Sequence, residues 1–363
     1  MTQAKQRGTT MEAQFYDGTK LLSMKDINGK TPELFMCTTN RSAGKTTYFE
    51  RLEVNRFLKK GEKFGVLYRY NYELDDCASQ FFGDIQYLFF NDYEMISEKR
   101  SKGVYHELYL RNKITDEKQS CGYAFSLNSA DAIKRKSHLL NDITSIFFDE
   151  FQSETNHYCD EEITKFLSIH KSLARGKGQQ VRYLPVYMVS NPVSIINPYY
   201  IKFGISSRLK DDVNFLKGDG FVLENGFNES ACEAILESGV SRACANDPYI
   251  AYSAQGVYLN DNLSFIDEAP NCTSRYIATI RYEQKDYAIR EFRDKGIIYC
   301  DDRADSTFPN KLSVTLEDHT INYVMLKSQA LFISNLRFFF DKGCFRFKDL
   351  KCKEAILKCI SYY

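Results

Sequence analysis

ELFMCTTNRSAGKTTYFERLEVNRFLKK (33–60) decides the fold. ELFMCTT (33–39) is a short apolar run bounded by turn residues, which reads as a buried strand and is too short for a helix. Phe49, Leu52, Phe57 and, less tightly, Leu58 then recur at helical spacing, and Gly61 is a natural stop. Between strand and helix, Thr39-Asn40-Arg41-Ser42-Ala43-Gly44-Lys45-Thr46 has the form of a phosphate loop with threonine in place of the first glycine. Backbone N–H groups and a helix N-terminus hold phosphate in such a loop. Lys45 would reach the β- and γ-phosphates of a nucleotide, and the Thr46 hydroxyl would take a place on Mg²⁺. Taken alone, a Gly-Lys-Thr triplet is as often an ordinary turn.

A second segment changes that balance. Ile146-Phe147-Phe148 runs into Asp149-Glu150, the form of a Walker B strand. Asp149 would hold Mg²⁺ and Glu150 would polarise an attacking water, because phosphoryl transfer is mostly positioning and charge stabilisation. By itself this is an ordinary strand ending in solvated acids. Both motifs, in order and at strand ends of one α/β unit, are much harder to obtain by chance. Asp149 follows Lys45 by 104 residues. That spacing favours the P-loop subclass with an added catalytic glutamate (ASCE-type), in which a further strand ends in a polar sensor. VYMVSN (186–191) fits, offering Ser190 or Asn191; a turn or helix cap is the competing reading of that pair.

Working outward, strands alternate with helices to about residue 200, which specifies a mainly parallel sheet flanked by helices. EMISE, VYHELYL and CGYAFSL alternate as an antiparallel excursion, and Phe15-Tyr16 to Leu21-Leu22 form an amphipathic patch in an otherwise polar arm. The reading divides the chain into a P-loop domain over 1–204, a lid or linker over 205–245 and a smaller domain over 246–363. In the last, IATIRYE, DYAIREF and GIIYCDD form a strand meander, 322–340 a long helix and 348–360 a final helix.

Composition limits the function classes. Lysine plus arginine equals aspartate plus glutamate, 48 against 48, so bulk charge does not draw the chain onto nucleic acid. Any such contact is local or shared among subunits. Eleven cysteines without a CxxC pair, and five scattered histidines, read as reduced thiols of a cytosolic protein with no zinc site. The polar N-terminus has no secretory core, and no apolar run nears the roughly 20 residues of a membrane span.

Arg41 lies inside the phosphate loop and is a candidate for charge stabilisation in cis. Arg175, in the glycine-punctuated loop SLARGKGQQVR, is a candidate finger in trans. Thr47 and Arg69 complete the candidate nucleotide contacts. Lys134-Arg135-Lys136, with His138, is one basic stretch available to DNA phosphates, and Lys171, Arg175 and Lys177 form another; solvated faces are the competing reading.

These residues resemble the small phi-29-like phage DNA-packaging ATPases, the encapsidation motors of podoviruses. FYDGTKLLS, NRSAGKT, NRFLKKGEKFGVLYRYNYEL, IFFDEF and VSNPVSIINPYY carry the likeness, which covers the first 200 residues; the last two are the most specific together. The resemblance implies an ATP- and Mg²⁺-dependent homopentameric ring in the host cytoplasm, docked transiently on the portal vertex of a procapsid. It would drive double-stranded DNA inward, with a packaging RNA as a further partner in the family. It also implies that Arg175 is the trans-acting arginine and that the C-terminal domain is a vestigial RNase H-like nuclease. Arg281 stands where a working nuclease needs its first-strand aspartate, while Asp301, Asp302 and Asp305 supply carboxylates near a later strand end. Three other readings remain: a terminase that still cuts DNA, a nucleotide-binding scaffold that does not turn over, and, on the Walker motifs alone, a helicase, for which the sequence offers no second set of motor motifs.

Overall fold

The computed structural model describes residues 15–360 except 156, 176–177, 179, 196, 207, 210–212, 257 and 259–264. A short helix, α1 (Thr19–Ser23), leads to β1 (Leu34–Thr38) and then to α2 (Lys45–Lys60). β2 (Lys63–Tyr68), α3 (Cys77–Phe89), β3 (Tyr93–Arg100), β4 (Tyr105–Asn112) and β5 (Lys118–Ser126) follow. Next come α4 (Ala130–Lys136), β6 (Ile143–Asp149), α5 (Glu162–Leu173) and β7 (Val186–Ser190). The chain then passes through α6 (Pro198–Lys202) and returns as β8 (Phe215–Gly218) and β9 (Phe221–Asn225). Three helices close this stretch: α7 (Glu229–Glu237), α8 (Gly239–Ala243) and α9 (Pro248–Gln255).

Among the described residues nine strands form one sheet in the order β3-β4-β5-β2-β6-β7-β1-β9-β8. The central strands β5, β2, β6, β7, β1 and β9 pair in parallel, and antiparallel strands sit only at the two margins. The expected excursion is therefore the β3–β4–β5 meander at one edge. The parallel strands read as near-continuous apolar runs because helices cover both faces. Phe147 on β6 packs against Phe49 of α2 and Phe81 of α3, with ring centroids 6.4 and 6.0 Å apart. α2 ends at Gly61, which takes φ +68°, a left-handed cap that glycine adopts without strain.

Two compact units divide the described residues. One draws on Met1–Val193 and Leu209–Leu259, the other on Ser194–Arg208 and Asn260–Tyr363. This differs from the boundaries expected at 204 and 245, because β8 and β9 from the expected linker extend the large sheet beside β1. Their hydrogen bonding is long-range in sequence, and turn-rich composition does not announce it. The second unit contains β10 (Arg275–Tyr282), β11 (Lys285–Phe292), β12 (Ile297–Asp301), β13 (Lys311–Ser313), β14 (Val324–Met325), α10 (Ala330–Asp341), β15 (Phe345–Phe347) and α11 (Leu350–Ile360). β10–β11–β12 form an antiparallel core to which β13 and β15 add in parallel. The helix expected over 322–340 begins only at Ala330, since Val324–Met325 pair with β13 instead. Tertiary pairing overrides local periodicity there. The string NPYY caps and starts α6: the Asn197 side chain accepts the Tyr200 N–H at 2.9 Å, and Tyr199 and Tyr200 are buried. Among the described residues no helix is long and apolar enough to cross a membrane.

One buried carboxyl makes this packing pH-sensitive. Glu53 on α2 is 1% exposed, accepts the Ser145 hydroxyl at 2.7 Å, and leaves its other oxygen without a partner. Burial pushes its pKa up to about 7, against a smaller opposing pull from Arg56. A carboxyl raised in the folded state favours folding most below its unfolded value, and that contribution is lost as pH climbs towards the folded one. Glu53→Gln is expected to stabilise the protein at pH 8 by on the order of 3 kcal/mol and to change little at pH 4.5. Urea unfolding at the two pH values measures this.

Candidate functional site

The phosphate loop leaves β1 between two parallel neighbours, so it opens beside the ends of β6 and β7. Ser42 (φ +59°) and Gly44 (φ +91°) take left-handed conformations that curl the loop back before α2 begins. No side chain caps α2. Its first N–H groups, which no helix can satisfy internally, therefore point into the loop. Arg41, Ser42, Lys45, Thr46, Asp149, Glu150, Ser190 and Asn191 line an open cleft of about 300 Å³. Sequence reasoning singled out each of them.

Two cations and two carboxylates set the cleft's electrostatics. Lys45 is 6% exposed and donates to Asn191 Oδ1 at 2.7 Å. Burial depresses its pKa, with Asp149 among the groups opposing that shift. Asp149, at the end of β6, has its carboxyl pushed up to about 6, first by burial and then by the neighbouring Glu150 charge. Its Oδ1 accepts the Glu150 N–H at 2.8 Å. Glu150 is exposed, with φ +50°. A non-glycine residue in the left-handed region is uncommon and costs strain, and such residues cluster at functional sites. The turn carries the Glu150 side chain off the strand and beside the cleft.

These residues suit a nucleotide triphosphate with Mg²⁺. The Ser190 hydroxyl is buried, lines the cleft and has no hydrogen-bond partner, an unmet polar group that a ligand oxygen or water would satisfy. Thr46 and Asp149 line the same cleft and offer the oxygen donors that a hard cation requires.

Asn40 is fully buried: its side chain donates to the carbonyls of Asn228 (2.9 Å) and Ala254 (3.0 Å) and accepts the Asn228 N–H (2.8 Å). Its side-chain amide fastens the loop to α7 and α9 and has no donor left for phosphate. Thr39 turns its hydroxyl to the Asn40 carbonyl and packs its methyl near Gly226, where an added Cβ would stand 3.0 Å away. That close approach favours glycine at position 226. Ala43 is buried, and its carbonyl accepts the Tyr16 N–H at 2.8 Å. Thr47 lies half-buried in the first turn of α2.

Arg69 is not among the residues that line the cleft. Its guanidinium is buried, pairs with Glu162 at 3.0 Å, and donates to the carbonyls of Glu150 (3.1 Å) and Phe151 (3.0 Å). It ties the exit of β6 to the start of α5 and so fixes the strained turn at Glu150. Arg175 is exposed beyond the end of α5 and is not among the cleft-lining residues. Lys134 and Arg135 are exposed and Lys136 half-buried on the last turn of α4, also away from the cleft.

Glu154 was not foreseen. It pairs with Arg41 at 2.9 Å, accepts the Tyr252 hydroxyl at 2.6 Å and meets the Asn191 side-chain amide at 3.4 Å. Arg41 also contacts the Tyr249 hydroxyl. No motif marks Glu154, because its partners come from three separate parts of the chain.

Replacing Arg69 with alanine would leave Glu162 buried without its guanidinium. Arg69→Ala is expected to cost about 3–5 kcal/mol of stability. In a double-mutant cycle with Glu162→Ala, the second change should add little to the first. Additive losses in denaturant titrations would contradict the pairing described here.

Residues 11–360 match the family model of the Podovirus DNA encapsidation protein (Gp16). The DNA packaging protein of Bacillus phage phi29 is 25% identical over 316 residues, covering 86% of each chain. That of Bacillus phage B103 is 23% identical over 328 residues, covering 89% of this chain and 93% of the relative. Among solved structures, the bacteriophage Phi-29 viral genome packaging motor assembly aligns with a TM-score of 0.52 at 22% identity, covering 96% of this chain and 98% of that one. The Phi-28 DNA packaging motor aligns with a TM-score of 0.56 at 15% identity, covering 96% of both. At these identities the structural likeness bears on the fold.

Proposed function

The chain belongs to the podovirus DNA encapsidation protein family, and on that premise we propose that it is the ATP-hydrolysing motor that drives double-stranded DNA into a preformed procapsid. The observation that carries this reading is the meeting of Lys45, Thr46, Asp149 and Glu150 in one cleft at adjoining strand ends. An assembly scaffold needs the first two to hold a nucleotide. It has no need of a carboxylate set beside the metal ligand on a strained turn.

In this reading Thr46 and Asp149 would hold Mg²⁺, which neutralises charge across the β- and γ-phosphates when bound. Lys45 exchanges its contact with Asn191 for phosphate oxygens. Glu150 orients the attacking water and accepts its proton, and Ser190 and Asn191 contact the terminal phosphate. Arg41 is placed to stabilise charge in cis. Arg175, exposed beyond α5, is the candidate to do so in trans from a neighbouring copy. A homopentameric ring on the procapsid portal, with a packaging RNA as a further partner, is the assembly that this role requires in the family. Such a motor works in the host cytoplasm while attached to the procapsid vertex. Lys134, Arg135 and Lys136 are the proposed local contacts to DNA phosphates, since the chain has no bulk positive charge.

Glu150→Gln is expected to bind ATP normally and to hydrolyse it about 100-fold more slowly or worse, as loss of a general base typically costs. In a reaction with procapsids it should leave no DNA protected from nuclease digestion. Arg175→Ala mixed into wild type should depress turnover more than dilution alone. Absence of turnover in wild type at every protein concentration, with or without DNA, would favour the scaffold.

A further inference from the structure

Phe15 is among the most exposed large apolar side chains in the first unit, at 76%, yet its ring is not loose on the surface. It lies flush against Gly44 of the phosphate loop, where an added Cβ would meet the Phe15 ring at 3.4 Å. The next residue is pinned three ways. The Tyr16 N–H donates to the Ala43 carbonyl at 2.8 Å, its hydroxyl donates to Glu224 on β9 at 2.6 Å, and its ring packs edge-on to Tyr48 at 5.5 Å. Gly18 permits this closeness, since a Cβ there would come within 2.6 Å of the Tyr48 ring. The strap over residues 15–18 thus crosses the first turn of α2 with one aromatic face held open to solvent.

The sheet order gives that face a direction. β1 lies between β7, with β6 beyond it, on one side and β9 on the other. Asp149, Glu150, Ser190 and Asn191, the groups suited to a terminal phosphate, stand on the β6–β7 side. The strap stands on the β9 side, where Tyr16 is tied to Glu224. A nucleotide whose phosphates follow the loop and whose terminal phosphate meets Ser190 and Asn191 has its base at the opposite end, towards the strap. An aromatic ring seated on the loop and largely open to solvent is what a base stacks on, and stacking accepts any π-face without reading a hydrogen-bond pattern.

We propose that Phe15 is the nucleobase platform of this site, stacking on the base of a bound purine nucleoside triphosphate while Tyr16 and Gly18 hold the strap across the phosphate loop. This rests on the reading of the cleft as an ATP site. It assigns Phe15 to binding, with no part in the chemical step.

The chain contains no tryptophan, so Phe15→Trp installs a single fluorescent reporter at the platform. Titrating that variant with Mg²⁺-ATP should quench its emission saturably, whereas inorganic tripolyphosphate, which fills the phosphate loop without a base, should leave it nearly unchanged. Calorimetry on Phe15→Ala should show ATP bound about tenfold more weakly and tripolyphosphate bound as in wild type. ATP affinity unchanged in Phe15→Ala, or equal quenching by ATP and tripolyphosphate, overturns the platform and leaves the ATP site standing. Failure of wild type to bind either ligand overturns the ATP-site reading and the platform with it.

Discussion

Parallel pairing of β1 on both sides is the constraint on which the rest of the first unit depends. β1 bonds to β7 along one edge and β9 along the other over its full five-residue length. In parallel pairs all strands end at the same edge of the sheet. The phosphate loop must therefore emerge level with Ser190 on β7 and, one strand further, with Asp149 on β6. A crossover helix behind each strand enforces this geometry, because parallel neighbours cannot be joined by a tight turn. The meeting of the cleft residues is thus a consequence of strand order, and only short local adjustments are left to the loops.

Those adjustments are held by buried polar contacts. Glu150 needs a left-handed backbone, and the cost is borne because Arg69 grips the carbonyls of Glu150 and Phe151 while bonding to Glu162. Breaking such a buried pair on one side is expensive, which makes the turn hard to relax. On the opposite side of the cleft, Asn40 fixes the base of the phosphate loop to the carbonyls of Asn228 and Ala254. Loop strain and loop anchorage therefore balance within a few residues of the chemistry. Lys45, with Asn191 as its partner, keeps a buried ammonium satisfied by a contact that a phosphate oxygen can replace.

How much of this was legible in the sequence follows from how local each signal is. The strand-loop-helix around Lys45, the strand ending at Asp149 and the strand running to Ser190-Asn191 are written in contiguous periodicity and turn chemistry, and the cleft-lining residues were singled out from these three segments. The meander over β3 to β5 alternates at period two and was equally plain. Long-range partners were not. Arg69 looks like any arginine at a strand end until Glu162 arrives from 93 residues away. Asn40 looks like a loop residue, and only the return of the chain at 228 and 254 gives it a structural role. Glu154 carries no motif at all. The stretch 322–329 has apolar residues at near-helical intervals, but pairing of β14 with β13 decides its conformation. In each case the missing information is a tertiary partner.

The second unit shows the same principle applied to charge. Asp301, at the end of β12, is 6% exposed, accepts Arg290 Nε at 2.9 Å and also accepts the Arg303 N–H. Asp302 pairs with Lys348 at 2.6 Å, and Asp305 accepts the Thr307 N–H and hydroxyl. On the first strand, Arg281 faces Asp286 at 3.6 Å and lies over the Tyr323 ring. A two-metal hydrolytic centre requires carboxylates that converge with their charge uncompensated, since the cations themselves supply the balancing charge. Here each acid near the strand end is answered by its own cation or donor set, and a guanidinium stands on the first strand. These acids are spent on holding loops to the sheet, each through a partner close to it in the fold.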